Sequence, residues 1–249
     1  MIPSPGCNGQ VNIVLFSPEE LSRPLPMDDN RAHHVLHVLG CGRNDRFDVG
    51  VRNGPRGKAR ILGIGPNGLR LEFELHDPAD TLLPVDLVVG LCRPAECKRI
   101  LRDATTLGVR TIHFVQAERT EGSYRKAALW RDRAYAEYLL RGAEQAFVTC
   151  TPAVFLHDDL GASVAALPAE DSLVALDNYE ATTGLAASAM DRQAIALAVG
   201  PERGWSPRER TVLRARGGVL AHLGRRVLRT ETAAIVATSL ALASMGLLD

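Results

Sequence analysis

The residues best suited to chemistry lie in two loops near the C-terminus. The longer is Leu223-Gly-Arg-Arg-Val-Leu-Arg-Thr-Glu-Thr232, which gathers Gly224, Arg225, Arg226, Arg229 and Glu231. The shorter is Gly200-Pro-Glu-Arg-Gly204, with Glu202 held between two glycines. Each follows an apolar run that reads as a buried strand, and each precedes a helix start. A helix start presents free N–H groups and a positive dipole end, so such loops are placed to meet an anion or a polar ligand. Arginine adds a planar fork of donors for phosphate or for developing negative charge. Glycine lets the backbone itself come close to a ligand. Two strand-loop-helix units this near in sequence can build one pocket at the carboxyl ends of neighbouring parallel strands.

Plainer readings compete with these. Arg225, Arg226 and Arg229 can form a solvated charge run, and Glu202 can serve only to stabilise the helix that follows. Against this, three arginines beside an electropositive helix start cost stability that a ligand would explain, and Glu231 offsets only part of that charge. His33 and His37 stand one helical turn apart, but no nearby carboxylate completes a zinc pattern, so no metal site is expected. The cysteines (Cys7, Cys41, Cys92, Cys97 and Cys150) are scattered and read as reduced thiols of a cytoplasmic protein.

Gly-Pro-Glu-Arg-Gly followed by Leu-Gly-Arg-Arg-Val-Leu-Arg-Thr-Glu-Thr-Ala-Ala resembles the RsmE family, the 16S ribosomal RNA uridine-N3 methyltransferases of the SPOUT superfamily. The second motif is long and specific. The resemblance begins near Val11 and is close beyond Val199. It implies an α/β C-terminal domain tied in a trefoil knot that binds S-adenosylmethionine, preceded by a small PUA-like RNA-binding β-barrel. It also implies a homodimer acting on ribosomal RNA or the small ribosomal subunit, with neither membrane nor metal. By resemblance, Leu176, Gly200, Glu202, Gly204, Leu223, Gly224, Val227, Leu228 and Thr230 fall at the donor site. Arg229, Glu231 and Glu202 fall at the reacting centre, and His34, His37, Arg119, Gln145, Arg225 and Arg226 on the RNA side. The sequence departs from the family pattern at Arg203, where glycine is usual, and at Thr106, where glutamate is. Ile13, His37, Gly40 and Val148 stand where arginines are expected. These departures keep two rivals open: a paralogue methylating another RNA, and a non-catalytic RNA-binding or ribosome-assembly protein that keeps the fold.

The rest of the chain must position these loops. Its 249 residues are 46% apolar and 23% charged, ordinary for a globular protein with a substantial core. Lys+Arg and Asp+Glu both total 29, so net charge does not argue for nucleic-acid binding, although a local patch can. No apolar run is long enough to cross a bilayer, and no secretory signal is apparent. Residues 1–10 read as a loose tail. Residues 11–77 read as a small β-barrel-like domain, with strands at 11–16, 46–51, 58–64 and 69–75 and a helix over 28–39 that stops at Gly40. Residues 76–80 read as a linker. Residues 84–249 alternate strands (85–91, 110–115, 152–156, 173–176, 194–199, 219–223) with helices (95–107, 127–147, 233–247), which predicts a mostly parallel sheet covered by helices. Ser206, Pro207 and Glu209 predict an N-cap, a first helical residue and a capping box. Thr230 reads as the cap of the last helix. That helix carries Ile235, Val236, Leu240 and Leu242, more apolar surface than one buried stripe needs, which suggests a partner.

Overall fold

The structure is a computed structural model that describes residues 12–248. The tail expected over residues 1–10 lies outside the described residues. The chain divides into two compact units. One reaches to Thr81 and takes in Leu140–Thr151. The other holds Leu82–Leu139 and the chain from Pro152 onward. Residues 140–151, placed by sequence alone inside the 84–249 domain, therefore pack with the first unit.

The first unit is built on β1 (Val14–Phe16), α1 (Asn30–His33), β2 (Arg46–Val51), β3 (Arg56–Gly65) and β4 (Gly68–Asp77). Its sheet runs β1-β2-β3-β4; β1 pairs parallel to β2 and the other pairs are antiparallel. Asp29 caps α1 by accepting from the Arg31 N–H at 2.8 Å. The helix expected over 28–39 continues beyond α1 as a π-helical turn, His34–Val38, and Gly40 follows with φ +66°. Ala32, Val35 and Leu39 bury the face its spacing predicts, against Phe16, Phe47, Val49 and Ile61. A second apolar cluster joins Ile13, Leu15 and Ala143, with Leu140, Phe147 and Val148 packed against it. Ile13 and Val148 both occupy places where the family pattern calls for arginine. Here they belong to one apolar cluster, where a lone guanidinium would lose its hydration without a partner.

The second unit contains β5 (Leu83–Gly90), α2 (Pro94–Thr106), β6 (Val109–Val115), α3 (Ala128–Arg131) and the start of α4 (Tyr135–Ala146). There follow β7 (Ala153–His157), α5 (Leu160–Ala165), β8 (Ser172–Leu176), β9 (Thr183–Gly184) and α6 (Leu185–Ala189). The last elements are β10 (Ile195–Val199), α7 (Pro207–Ala215), β11 (Val219–His222) and α8 (Thr230–Ser244). The sheet order is β7-β6-β5-β10-β8-β11-β9, and every pairing is parallel. β10 sits at its centre and reads as an unbroken apolar run because helices cover both faces; its neighbour β5 is apolar apart from the buried Asp86, which Arg110 of β6 pairs at 2.7 Å. On one face α8 packs on α2 and α6; on the other α5 meets α7. The buried stripe of α8 is made mostly of small residues (Ala234, Ala237, Thr238, Ala241), with Leu242 near its end, which lets the helix lie close to the sheet.

One expected element is corrected. The single helix read over 127–147 breaks between α3 and α4, where Arg133 takes φ +53°. The break lets Trp130 pack its ring 4.7 Å from Phe114 and 6.2 Å from Tyr135, ring centroid to centroid. Aromatic burial offsets the roughly 1 kcal/mol cost of a non-glycine residue in the left-handed region. The thiols of Cys92, Cys97 and Cys150 are free.

Candidate functional site

The two loops meet where β8 lies between β10 and β11. The carboxyl ends of these three strands open on a cavity of about 560 Å³. α7 begins as its sequence predicts. The Ser206 hydroxyl accepts from the Glu209 N–H at 3.1 Å, and Glu209 Oε2 accepts from the Ser206 N–H at 2.8 Å. The other oxygen of Glu209 accepts from the Glu118 N–H at 2.9 Å, so this buried carboxylate also ties down the chain after β6. α8 begins differently from expectation. Its N-cap is Arg229, without a side-chain cap, and Thr230 is its first residue. The Thr230 hydroxyl is directed to the other loop and donates to the Gly200 carbonyl at 3.2 Å.

Glycine is favoured in these loops for two reasons. A Cβ on Gly200 would lie 3.2 Å from the Gly204 Cα and 3.3 Å from the Trp205 nitrogen, a tight fit against backbone that a side chain could take only if the loop gave by a few tenths of an ångström. Gly204 has φ +66° and Gly224 φ +99°, backbone that glycine adopts freely. Arg203 is not in that region, so the arginine standing at a usual glycine place strains nothing.

The expected donor residues Leu176, Gly200, Glu202, Gly204, Leu223, Val227, Leu228 and Thr230 all line the cavity. So do Arg229, Glu231 and Arg226. Gly224 and Arg225 do not; Gly224 serves the turn, and Arg225 is exposed. Arg119, also exposed, is outside the lining and donates to the Arg203 carbonyl of the glycine loop at 3.0 Å. His34 and Gln145 line a separate hollow of about 300 Å³ within the first unit. His37 is exposed outside that lining, its ring centroid 4.7 Å from that of His33.

Sequence reasoning missed Asp177, Asn178 and Tyr179 after β8, and Arg93 and Glu96 at the start of α2, all of which line the cavity. The signal was present: an apolar strand followed by Asp-Asn-Tyr-Glu repeats the strand-loop layout of the other two walls. Asp177 is buried. One oxygen accepts from the backbone N–H of Tyr179 and of Glu180, each at 2.8 Å, and the other from Arg210 Nε at 2.7 Å. Just before Arg93, the buried Cys92 thiol lies 3.5 Å from that of Cys97. The hydrogen bond to Cys97 and burial together push the Cys92 thiol far up, so it offers no thiolate at neutral pH. Among the described residues no group of three or more His, Cys, Asp or Glu is arranged to hold a metal ion, and no helix is long and apolar enough to cross a membrane.

A parallel α/β unit with a loop-walled cavity at the carboxyl edge of its sheet is the architecture to which the comparisons point. Residues 79–242 match the family model described as the RNA methyltransferase domain. The chain is 35% identical over 244 residues to the ribosomal RNA small subunit methyltransferase E of Treponema pallidum, covering 94% of this chain and 91% of that one. A second relative, methyltransferase E 1 of Borreliella burgdorferi, is 25% identical, with 92% and 96% covered. The crystal structure of methyltransferase E from Neisseria gonorrhoeae bound to S-adenosyl methionine superposes with a TM-score of 0.76 at 24% identity, covering 94% of this chain and 98% of that one. The chain belongs to the ribosomal RNA small subunit methyltransferase E family.

Proposed function

We propose that this protein transfers a methyl group from S-adenosylmethionine to N3 of a uridine in the 16S ribosomal RNA of the small subunit. The observation that carries the reading is the cavity walled by Gly200–Gly204 and Arg226–Glu231, in a chain 35% identical to a relative named for small-subunit ribosomal RNA methylation. The residues fit the donor. The volume is in the range of small-molecule pockets. Leu176, Val199, Leu223 and Leu228 provide apolar wall for a flat ring, and the tight turn at Gly200 brings backbone groups to the ligand. When bound, the donor supplies an electrophilic methyl carbon.

The chain's own residues must deal with the acceptor. Uridine N3–H is weakly acidic, and transfer requires loss of that proton and relief of the charge spread over the flanking carbonyl oxygens. Arg229 lines the cavity and supplies oriented donors for that charge. Four acidic side chains line the cavity. Asp177 is held by Arg210 and Glu96 is paired with Arg99 at 3.1 Å. That leaves Glu202 and Glu231 as the carboxylates available to take the proton. Arg226, Arg225 and Arg119 are assigned to phosphate contacts, with His34, His37 and Gln145 as the first unit's contribution to RNA binding.

In this reading the second unit is a trefoil-knotted SPOUT domain and the first a PUA-like barrel. The protein works in the cytoplasm as a homodimer. Leu240 on α8 is 40% exposed and Leu248 beyond it 50%, which supports a second copy covering that face. Two measurements test the function. Calorimetry should show S-adenosylmethionine binding at micromolar affinity, about −8 kcal/mol. Mass-spectrometric mapping of small-subunit RNA from a deletion strain should show loss of one N3-methyluridine, restored by complementation. Donor binding with that modification intact would favour a paralogue acting on another RNA. Donor binding with no methyl transfer to any RNA would favour a non-catalytic assembly protein.

A further inference from the structure

Tyr179 sits on the rim of the cavity with 76% of its surface exposed. A single exposed aromatic is ordinary on a protein surface. What sets this one apart is how it is held. Asp177 is buried and fixes the Tyr179 N–H at 2.8 Å, while Arg210, also buried, fixes Asp177 at 2.7 Å. The Arg210 guanidinium also lies over the tyrosine ring, 5.4 Å from its centroid. Glu180, the next residue, is tied to both Arg210 and Arg214 of α7. A loop pinned by a buried ion pair thus presents a ring that packs into no core cluster.

We infer that Tyr179 is a stacking platform for a base of the RNA substrate as it enters the cavity. The inference rests on the methyltransferase reading above. The ring lines the same cavity as Arg93, Arg226 and Arg229, all exposed and without an ion pair among the described residues. An aromatic face beside free arginines is the combination that holds single-stranded nucleic acid, one group taking a base and the others phosphate. The donor has other walls, the apolar ends of β8, β10 and β11. Arg210 covers one side of the ring, which leaves the other for a base.

Wild type, Tyr179→Ala, Tyr179→Phe and Asp177→Asn are compared by three readouts. These are melting temperature, S-adenosylmethionine affinity by calorimetry, and single-turnover methylation against increasing concentrations of unmodified small ribosomal subunits. Tyr179→Ala should raise the half-saturating subunit concentration roughly tenfold, the scale of losing one stacked base. Its melting temperature and donor affinity should stay at wild-type values, and Tyr179→Phe should behave as wild type throughout. Asp177→Asn should show a milder rise, because the loop is loosened and the ring kept. An equal loss of donor affinity in Tyr179→Ala would place the ring on the donor and overturn the inference. Wild-type saturation in that variant would also overturn it. A wild-type protein that neither binds donor nor methylates subunits overturns the methyltransferase reading, and this inference with it.

Discussion

The Thr230 hydroxyl donates to the Gly200 carbonyl at 3.2 Å, so the first residue of α8 is bonded to the first residue of the loop that leads to α7. The bond makes one wall of two loops. Thr230→Val removes the donor, keeps the shape, and leaves a carbonyl without that partner. The expected cost is about 1 kcal/mol of stability. Donor affinity should weaken several-fold, because the loops then drift independently. Thr230→Ser keeps the hydroxyl and should bind donor as wild type does. Calorimetry and melting curves on both variants check this; equal donor affinity in Thr230→Val and wild type would remove the coupling.

Two glycines make a graded test of the same wall. A Cβ on Gly90 would lie 2.4 Å from Pro201 Cδ and 2.5 Å from the Pro201 nitrogen, so the glycine loop has to move. At Gly204 the nearest atom to such a Cβ is Tyr179 Cε2 at 3.7 Å, so space is not the constraint there. The constraint is φ +66°, worth about 1 kcal/mol against alanine. Gly90→Ala should therefore weaken donor binding more than Gly204→Ala, although Gly90 is outside the cavity lining. The reverse order in calorimetry would show that the loop shifts freely off β5.

His113 is buried on β6 with Nδ1 2.9 Å from His157 Nε2. Burial first, and the second imidazole next, hold its pKa down from 6.5 to about 4. The unfolded chain takes that proton near 6.5 and the folded chain does not. Stability from this group is therefore full above pH 6.5 and is lost as pH falls toward about 4, by up to roughly 3 kcal/mol. Asp171 opposes it. Burial, and then its hydrogen bond to Asp86, raise its pKa from 3.8 to about 6, so the folded chain gains stability as pH falls through that window. His113→Gln removes one arm of the balance. Melting temperature of the variant, relative to wild type, should rise as pH is lowered from about 7 to about 5. In the wild-type protein the His113 ring resonances should stay flat over the same range; a midpoint near 6.5 would contradict the buried neutral state.

How much of this was legible in the sequence follows from the range of the interactions involved. β2 and the start of α7 were readable because alternation, apolar runs and a Ser-Pro-x-Glu capping box are local signals. So was the pairing of two strand-loop-helix walls. The break at Arg133 was hidden, since neither glycine nor proline marks it and the cause is Trp130 reaching two rings. Asp177 and Arg210 stand 33 residues apart, and no spacing rule links them, so the third wall was missed. Thr230 has the residue type of a cap, but its hydroxyl serves a carbonyl of the neighbouring loop. Ile13 and Val148 read singly as two missing arginines. Only the fold shows that they share one apolar cluster.

Arg229 is predicted to act in methyl transfer rather than in donor capture. It is the N-cap residue of α8, with φ −66° and ψ 153°, and its exposed side chain lines the cavity. No ion pair holds its guanidinium among the described residues, unlike Arg210 with Asp177 or Arg110 with Asp86. Its charge is therefore available for the negative charge that develops on the uracil carbonyls. A group that acts only in the transition state lowers turnover when removed and leaves ground-state binding nearly unchanged. Arg229→Ala should reduce single-turnover methylation of small ribosomal subunits about a hundredfold, the scale of one lost oriented donor. Donor affinity and melting temperature should hold. Arg229→Lys keeps the charge but not the fork, and should recover only part of the rate. If Arg229→Ala instead lowers melting temperature and activity together, the side chain braces the loop and the stabilising charge must come from Arg93 or Arg226. Wild-type turnover in Arg229→Ala would remove it from the reaction altogether.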